Sequence, residues 1–271
     1  MKKIFIVATF SIIAITIQAQ NNPSSRPPAS KDDRKSEKRQ RINALLKLEE
    51  EGDPAFKKQS IFGIKLSTDG YGLSYEKGKY KTPRKTLLFQ FELNEKKNRK
   101  EEKTATGPQN IIGQSNSVVW GKVNNFYQFK MGLGQQFLIG GKANKSGVSV
   151  SAIYAGGVSI GMAKPYLINV VENPSNQNSP VVRKKFTDTT GGLVLGASGF
   201  TYGWNEVKIK PGLHAKIAMR FDYGRFNETV SAIEAGLNAE YYFSEVQQLL
   251  YNKPKNFFFN AYITIMFGRR K

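Results

Sequence analysis

The stretch Phe257-Phe258-Phe259-Asn260-Ala261-Tyr262-Ile263-Thr264-Ile265-Met266-Phe267 alternates with period two. Phe257, Phe259, Ala261, Ile263, Ile265 and Phe267 form one apolar set; Phe258, Asn260, Tyr262, Thr264 and Met266 form a mixed one. Successive side chains of a strand point to opposite faces, so one face suits hydrocarbon and the other does not. The length matches the ~9–11 residues with which a tilted strand crosses a bilayer. The stretch stops at an aromatic, with Gly268, Arg269, Arg270 and Lys271 after it. A soluble β-sandwich accommodates the same alternation, so the rest of the chain has to decide.

A hydrophobic share of 39% and a mean hydropathy of −0.44 argue against a helical membrane protein. They do not argue against a barrel, whose strands alternate lipid-facing with lumen-facing residues and so spend half their length on apolar side chains. Outside the N-terminus no run of ~20 apolar residues suits a spanning helix. The N-terminus reads as an export signal over 1–19. Lys2 and Lys3 form its positive start, Ile4 to Ile17 its apolar core, and cleavage is expected near Ala19. Removing Lys2 and Lys3 takes the formal charge from +20 to +18. There is no Cys, which excludes a lipoprotein anchor, disulfides and thiolate metal sites.

Residues 20–58 read as a basic tail. Asn21 to Ser30 is rich in Pro, Ser and Asn and Lys31 to Arg41 is a charge run, neither able to bury enough apolar surface to fold. Ile42, Leu45, Leu46 and Leu48, ended by Gly52 and Pro54, predict a short amphipathic helix.

Over 59–271 the pattern is strand and turn. Phe62, Ile64 and Leu66 alternate up to a tight turn expected at Asp69-Gly70, and Tyr71, Leu73 and Tyr75 alternate back. Leu87 to Leu93, Tyr127 to Leu133, Val148 to Ile160, Leu213 to Phe221 and Ile233 to Phe243 follow, and Phe257 to Phe267 closes the set. That makes eight strands. The connections Lys79 to Arg84, Gly140 to Gly147 and Tyr223 to Glu228 are short and fall at one end. Asn94 to Lys122, Ala163 to Glu206 and Ser244 to Asn256, together with the tight first turn, fall at the other. An even strand number, short turns on the inner side and long loops on the outer side are the pattern of bacterial outer-membrane barrels. The fold class is therefore all-β: an eight-stranded antiparallel transmembrane β-barrel with a flexible N-terminal tail and a short helix.

The chain resembles the small outer-membrane β-barrel proteins in its cleavable signal, lack of Cys, eight alternating strands and closing aromatic strand. The phrases Gly212-Leu213-His214-Ala215-Lys216, Arg220-Phe221-Asp222-Tyr223-Gly224-Arg225-Phe226-Asn227-Glu228 and Phe267-Gly268-Arg269-Arg270 are similar to an uncharacterised Bacteroidota family of such barrels. The resemblance covers about residues 40–271 and implies a barrel fold and an outer-membrane location, but no known chemistry.

Alternation turns Lys65, Lys130, Lys216 and Arg220 inward, against Glu76, Glu92, Glu234 and Glu240, with Asp222 near the inner rim. An eight-stranded barrel is just wide enough to be filled by its own side chains, and buried charges persist when paired. These eight residues therefore read as a structural ion-pair core, with a narrow proton or ion path as the alternative. The remaining basic residues sit on the tail, turns and loops, where anionic lipids and lipopolysaccharide phosphates are the expected partners. Nucleic acid is not expected after export. His214 is the sole His and faces inward, away from any lipid substrate. No catalytic residue, metal or cofactor is expected, and a lipid-modifying enzyme or a ligand or ion conduit stand as alternatives.

The long connection Ala163 to Glu206 carries Leu193, Phe200, Tyr202 and Trp204 among glycines, wasteful if left in water. With the basic loop bearing Lys96, Lys97, Arg99 and Lys100 it forms the candidate surface for an envelope protein partner. The expected geometry is packing over the outer mouth or extension of the sheet; the plain alternative is a prolonged sixth strand.

Overall fold

The computed structural model describes Ser36, Arg39, Gln40 and residues 56–106, 117–142, 147–175, 179–189, 191–224 and 228–271. The chain divides into two units, Met1–Leu45 and Leu46–Lys271. In the first, Ser36, Arg39 and Gln40 are helical and exposed, within the charge run read as unfolded tail. The export signal, its cleavage site and the helix expected over Ile42 to Leu48 lie outside the described residues.

The second unit is built on β1 (Lys58–Ser67), β2 (Gly70–Thr82), β3 (Lys85–Lys96), β6 (Asn124–Gly140), β7 (Ser149–Pro165), β11 (Lys208–Asp222), β12 (Thr229–Val246) and β13 (Lys255–Arg270). They close in the order β1-β13-β12-β11-β7-β6-β3-β2, each neighbour antiparallel. Closure leaves no unpaired edge inside the ring, the condition for strands to cross hydrocarbon. The closing pair is β1 with β13, in the register Ile64↔Ile265 and Lys65↔Thr264.

Burial along β13 gives the sense of the sheet. Phe257, Ile263 and Ile265 are 54%, 54% and 43% exposed, whereas Tyr262, Thr264 and Met266 are 3%, 2% and 2% exposed. A water-soluble core would bury the first set; here the apolar set faces out and the polar set is enclosed. The ten steps from Phe257 to Phe267 rise about 33 Å along the strand, or roughly 25 Å along the axis at ~40° tilt, the height of a barrel's apolar band. The unit is a transmembrane β-barrel.

Three expectations are corrected. The last strand does not stop at Phe267: β13 pairs on to Arg270 opposite Gln59, and Lys57 and Lys58 amides donate to the Lys271 carbonyl. The ladder runs past the bilayer because a backbone group at the wet rim still gains by pairing. The first hairpin turns at Thr68 and Asp69, one position earlier than expected, since Ser67 pairs with Gly70. Gly70 takes φ 156°, and a Cβ there would lie 1.9 Å from the Glu95 carbonyl oxygen, so glycine is required beside the turn rather than in it.

The third correction concerns the long outer connections, read as loops, which carry short strands of their own. The segment after β3 contains β4 (Lys103–Ala105), paired with β5 (Ser117–Val119). The segment after β7 contains β8 (Leu167–Val171), β9 (Val181–Lys185) and β10 (Leu193–Ala197), in the order β10-β8-β9. Val118, Ile168 and Val170 are buried together, with Tyr166, Phe186 and Val194 packed around them. Two loops that cannot bury their apolar residues separately thus share a small core at the end of the barrel far from Lys58 and Lys271. The Tyr166 hydroxyl joins them by accepting from the Val119 amide at 3.0 Å; its burial holds the phenol above its usual pKa.

Candidate functional site

The lumen is filled in layers. At the end near Lys271, Ile61, Val230, Ala232 and Met266 form an apolar plug. Leu88, Ile153, Ala218 and Tyr262 form a second apolar cluster. At the far end Phe126, Tyr242 and Phe258 stack edge to face and face to face, with centroids 5.2–5.9 Å apart, and bury Ala163 and Val246 with them. Glycine makes room for this cap: a Cβ on Gly161 would lie 2.6 Å from Phe126 and 2.9 Å from Tyr242.

The lumen charges run in one connected chain. Arg220 binds Glu76 through both terminal nitrogens at 2.9 and 2.7 Å, and reaches Glu234 at 3.1 and 2.7 Å. Glu234 also accepts from Lys216 at 3.2 Å and from the Tyr262 hydroxyl at 2.8 Å. Lys216 passes to Glu92 at 3.2 Å, which receives Lys65 at 2.9 Å and stands 3.7 Å from Lys130. Lys130 then pairs with Glu240, which also meets Lys96 at 3.0 Å, and Lys96 ends the chain on Asp69 at 2.6 Å. The chain therefore holds Lys65, Lys96, Lys130, Lys216 and Arg220 against Asp69, Glu76, Glu92, Glu234 and Glu240 and is formally neutral. Asp222, at the rim near Lys271, is held by Arg270 and by Lys142 at 3.5 Å.

Lys96 is a correction. Expected on an exposed partner-binding loop, it is 4% exposed and belongs to the lumen. The signal was present: Glu92, Asn94 and Lys96 share one parity, and β3 keeps that parity two residues beyond the point where the apolar alternation ends. Asp69 was missed for a different reason. It sits in a turn, where alternation assigns no face, and only the closing of β1 on β2 aims its carboxylate at Lys96 and at the Asn260 amide, 3.3 Å away. Lys97, Arg99 and Lys100 are exposed as expected of a loop surface, with Lys97 4.9 Å over the Tyr71 ring.

Leu193 to Trp204 is not a prolongation of the sixth strand. Leu193 opens β10, opposite Val171 of β8, and is 43% exposed. Phe200 and Trp204 fold back on the outside of the barrel rim. Trp204 stacks on Tyr127 at 5.7 Å, Phe200 meets both rings, and Lys164 lies under them at 4.6 and 4.9 Å. Tyr202 sits apart, with the Arg183 guanidinium 3.8 Å from its ring. The segment thus extends structure outward while its aromatics cover the exterior of β6 and β7. Lys184 reaches Glu172 and Lys185 reaches Glu206, each at 2.5 Å. The hydrogen bond to Glu206 holds the Lys185 ammonium above its ordinary pKa.

His214 lies in the lumen, 7% exposed, and its Nδ1 has no hydrogen-bond partner among the described residues. Among those residues no three of His, Cys, Asp and Glu converge as a metal site.

No protein-family model and no curated protein matches the chain. Solved structures do. The attachment invasion locus protein Ail of Yersinia pestis, crystallised with the heparin analogue sucrose octasulfate, is 11% identical, with 79% of this chain and 98% of that one covered and a TM-score of 0.38. Neisserial surface protein A is 8% identical over 79% and 96% of the two chains, TM-score 0.36. The N-terminal β-barrel domain of Pseudomonas aeruginosa OprF is 12% identical over 80% and 98%, TM-score 0.35. At these values the likeness carries no inference about activity or ligand.

Proposed function

We propose that this chain is a non-enzymatic bacterial outer-membrane barrel that serves as a structural or accessory component of an envelope assembly. It works through its outer extension and its basic N-terminal tail. The observation that carries this reading is the contrast between the two regions of the barrel unit. The lumen is spent on a neutral, fully paired charge chain under an aromatic cap, while the elaborated structure, two small sheets with a shared core, stands at the rim far from Lys58 and Lys271. A barrel that transports needs an open path, and a barrel that modifies lipids needs a base at the lipid face. The capped lumen supports neither, and His214 is enclosed in it. Outer-membrane lipid and lipopolysaccharide phosphates suit the exposed Lys97, Arg99 and Lys100, and an envelope protein suits the exposed Leu193, Phe200, Tyr202 and Trp204. The similarity of its sequence phrases to a Bacteroidota barrel family belongs with this reading.

The test has two parts. The mature protein is expected in the outer-membrane fraction, migrating differently on gels before and after heating; recovery as soluble periplasmic protein overturns the membrane location. Replacing Leu193 to Trp204 with a short Gly-Ser linker is expected to leave insertion intact and to abolish co-purification of an envelope partner from detergent-solubilised membrane. An unchanged partner set refutes the assignment of function to this segment. A stable open-channel conductance in planar bilayers would favour the conduit instead.

A further inference from the structure

Directly above the aromatic cap lies a cavity of about 330 Å³, walled by the barrel rim on one side and by β9 and the segment after it on the other. Lys208 and Lys210 line it from β11, and they share the inward parity of Gly212 and His214. In register, Lys210 stands opposite Gly161, the residue against which Phe126 and Tyr242 pack, and Lys208 opposite Ala163, so the two lysines start at the level of the cap and line the cavity at its outer edge. The cap separates them from the lumen carboxylates, and Glu240 is already satisfied by Lys130 and Lys96. Two carboxylates line the cavity: Glu206 is held by Lys185, and Glu245 is exposed at its edge, so the lining carries three lysines against two carboxylates. Neither Lys208 nor Lys210 forms an ion pair with a described residue. Phe186 and Pro165 supply an apolar wall.

We infer that this cavity is a binding site for a phosphate monoester carried on a small sugar. Residues two apart on one face of a strand are roughly 6.6 Å apart, so two lysines so placed can bring their ammonium groups onto one anion. Lysine acts as a rotatable point charge with three donors, which suits the several acceptor oxygens of a phosphate. The ring wall takes the carbon skeleton, and the volume falls at the small end of ligand pockets, about a monosaccharide rather than a chain. The site lies on the outer side of the cap, so the phosphate comes from outside the lumen, either from a free phosphosugar or from a phosphorylated glycolipid head. The inference does not depend on which envelope protein the extension engages.

The full-length barrel in zwitterionic detergent is titrated calorimetrically with glucose 1-phosphate, inorganic phosphate and glucose. A parallel arm measures binding of diphosphoryl lipid A from phosphatidylcholine vesicles. Saturable binding of the phosphosugar, weaker binding of phosphate and none of glucose are expected, with at least tenfold weakening in Lys208→Gln/Lys210→Gln. A Lys77→Gln/Lys79→Gln control, at the opposite end of the barrel, should bind as the parent does. Binding of the lipid alone, lost in the Lys208→Gln/Lys210→Gln variant, identifies the glycolipid as the source of the same chemistry. No saturable binding in either arm, equal binding of glucose, or binding unaltered in that variant overturns the site. Because binding is read on the purified protein, its failure leaves the membrane location and the partner surface untouched.

Discussion

Arg220→Met tests whether the lumen charges stabilise this barrel by mutual compensation. Arg220 is 2% exposed and is the guanidinium shared by Glu76 and Glu234. Its loss affects the two carboxylates unequally. Glu234 keeps Lys216 and the Tyr262 hydroxyl, whereas Glu76 keeps only the neutral amides of Gln59 at 3.3 Å and Gln90 at 2.7 Å. Breaking a buried pair on one side leaves an uncompensated charge and costs about 3–5 kcal/mol. The second change, Glu76→Gln, removes that charge while keeping the shape, and the double variant should recover to within about 1–2 kcal/mol of the parent. The coupling energy is then several times the ~0.5 kcal/mol scatter of independent sites. The assay has to avoid tryptophan fluorescence, because Trp120 and Trp204 both lie on the outer connections and would report on those instead of the barrel. Urea unfolding in phosphatidylcholine vesicles, read by the folded band on unheated gels, reports barrel closure itself. A cost under about 1 kcal/mol for Arg220→Met, or no rescue by Glu76→Gln, refutes the argument.

On β13, Ile263→Arg should cost about 2–4 kcal/mol by placing a charge in lipid near the middle of the band, while Thr264→Arg should fail to fold by crowding the 2%-exposed position beside Glu234 and Lys65; equal tolerance in vesicle refolding would mean the register is wrong. Gly70→Ala should lower the urea midpoint by the equivalent of about 1–3 kcal/mol, since its φ of 156° and the Glu95 carbonyl both exclude a Cβ. Gly140→Ala, where a Cβ meets nothing within 4 Å, should shift it by less than about 0.5 kcal/mol. Lys185→Ala removes an exposed pair with Glu206 and should change stability by at most about 1 kcal/mol, an effect that fades further in high salt.

The period-two pattern by itself determined the barrel: strand number, the outward face and the inward charges follow from alternation, because a strand has only two faces and a bilayer tolerates only one kind of residue on one of them. The same parity also contained Lys96, on the inward set of Glu92, although the apolar alternation that marks a strand stops before it. Which lumen cation meets which carboxylate was not legible. Arg220 meets Glu76 and Lys130 meets Glu240 across the lumen, between strands that are not neighbours, and such contacts depend on closure and shear of the whole ring. The turn residue Asp69, the short strands β8 to β10 and the cavity above the cap were likewise decided by tertiary structure. Turns carry no facial periodicity, and strands of five residues acquire a buried side only from the loop that folds against them.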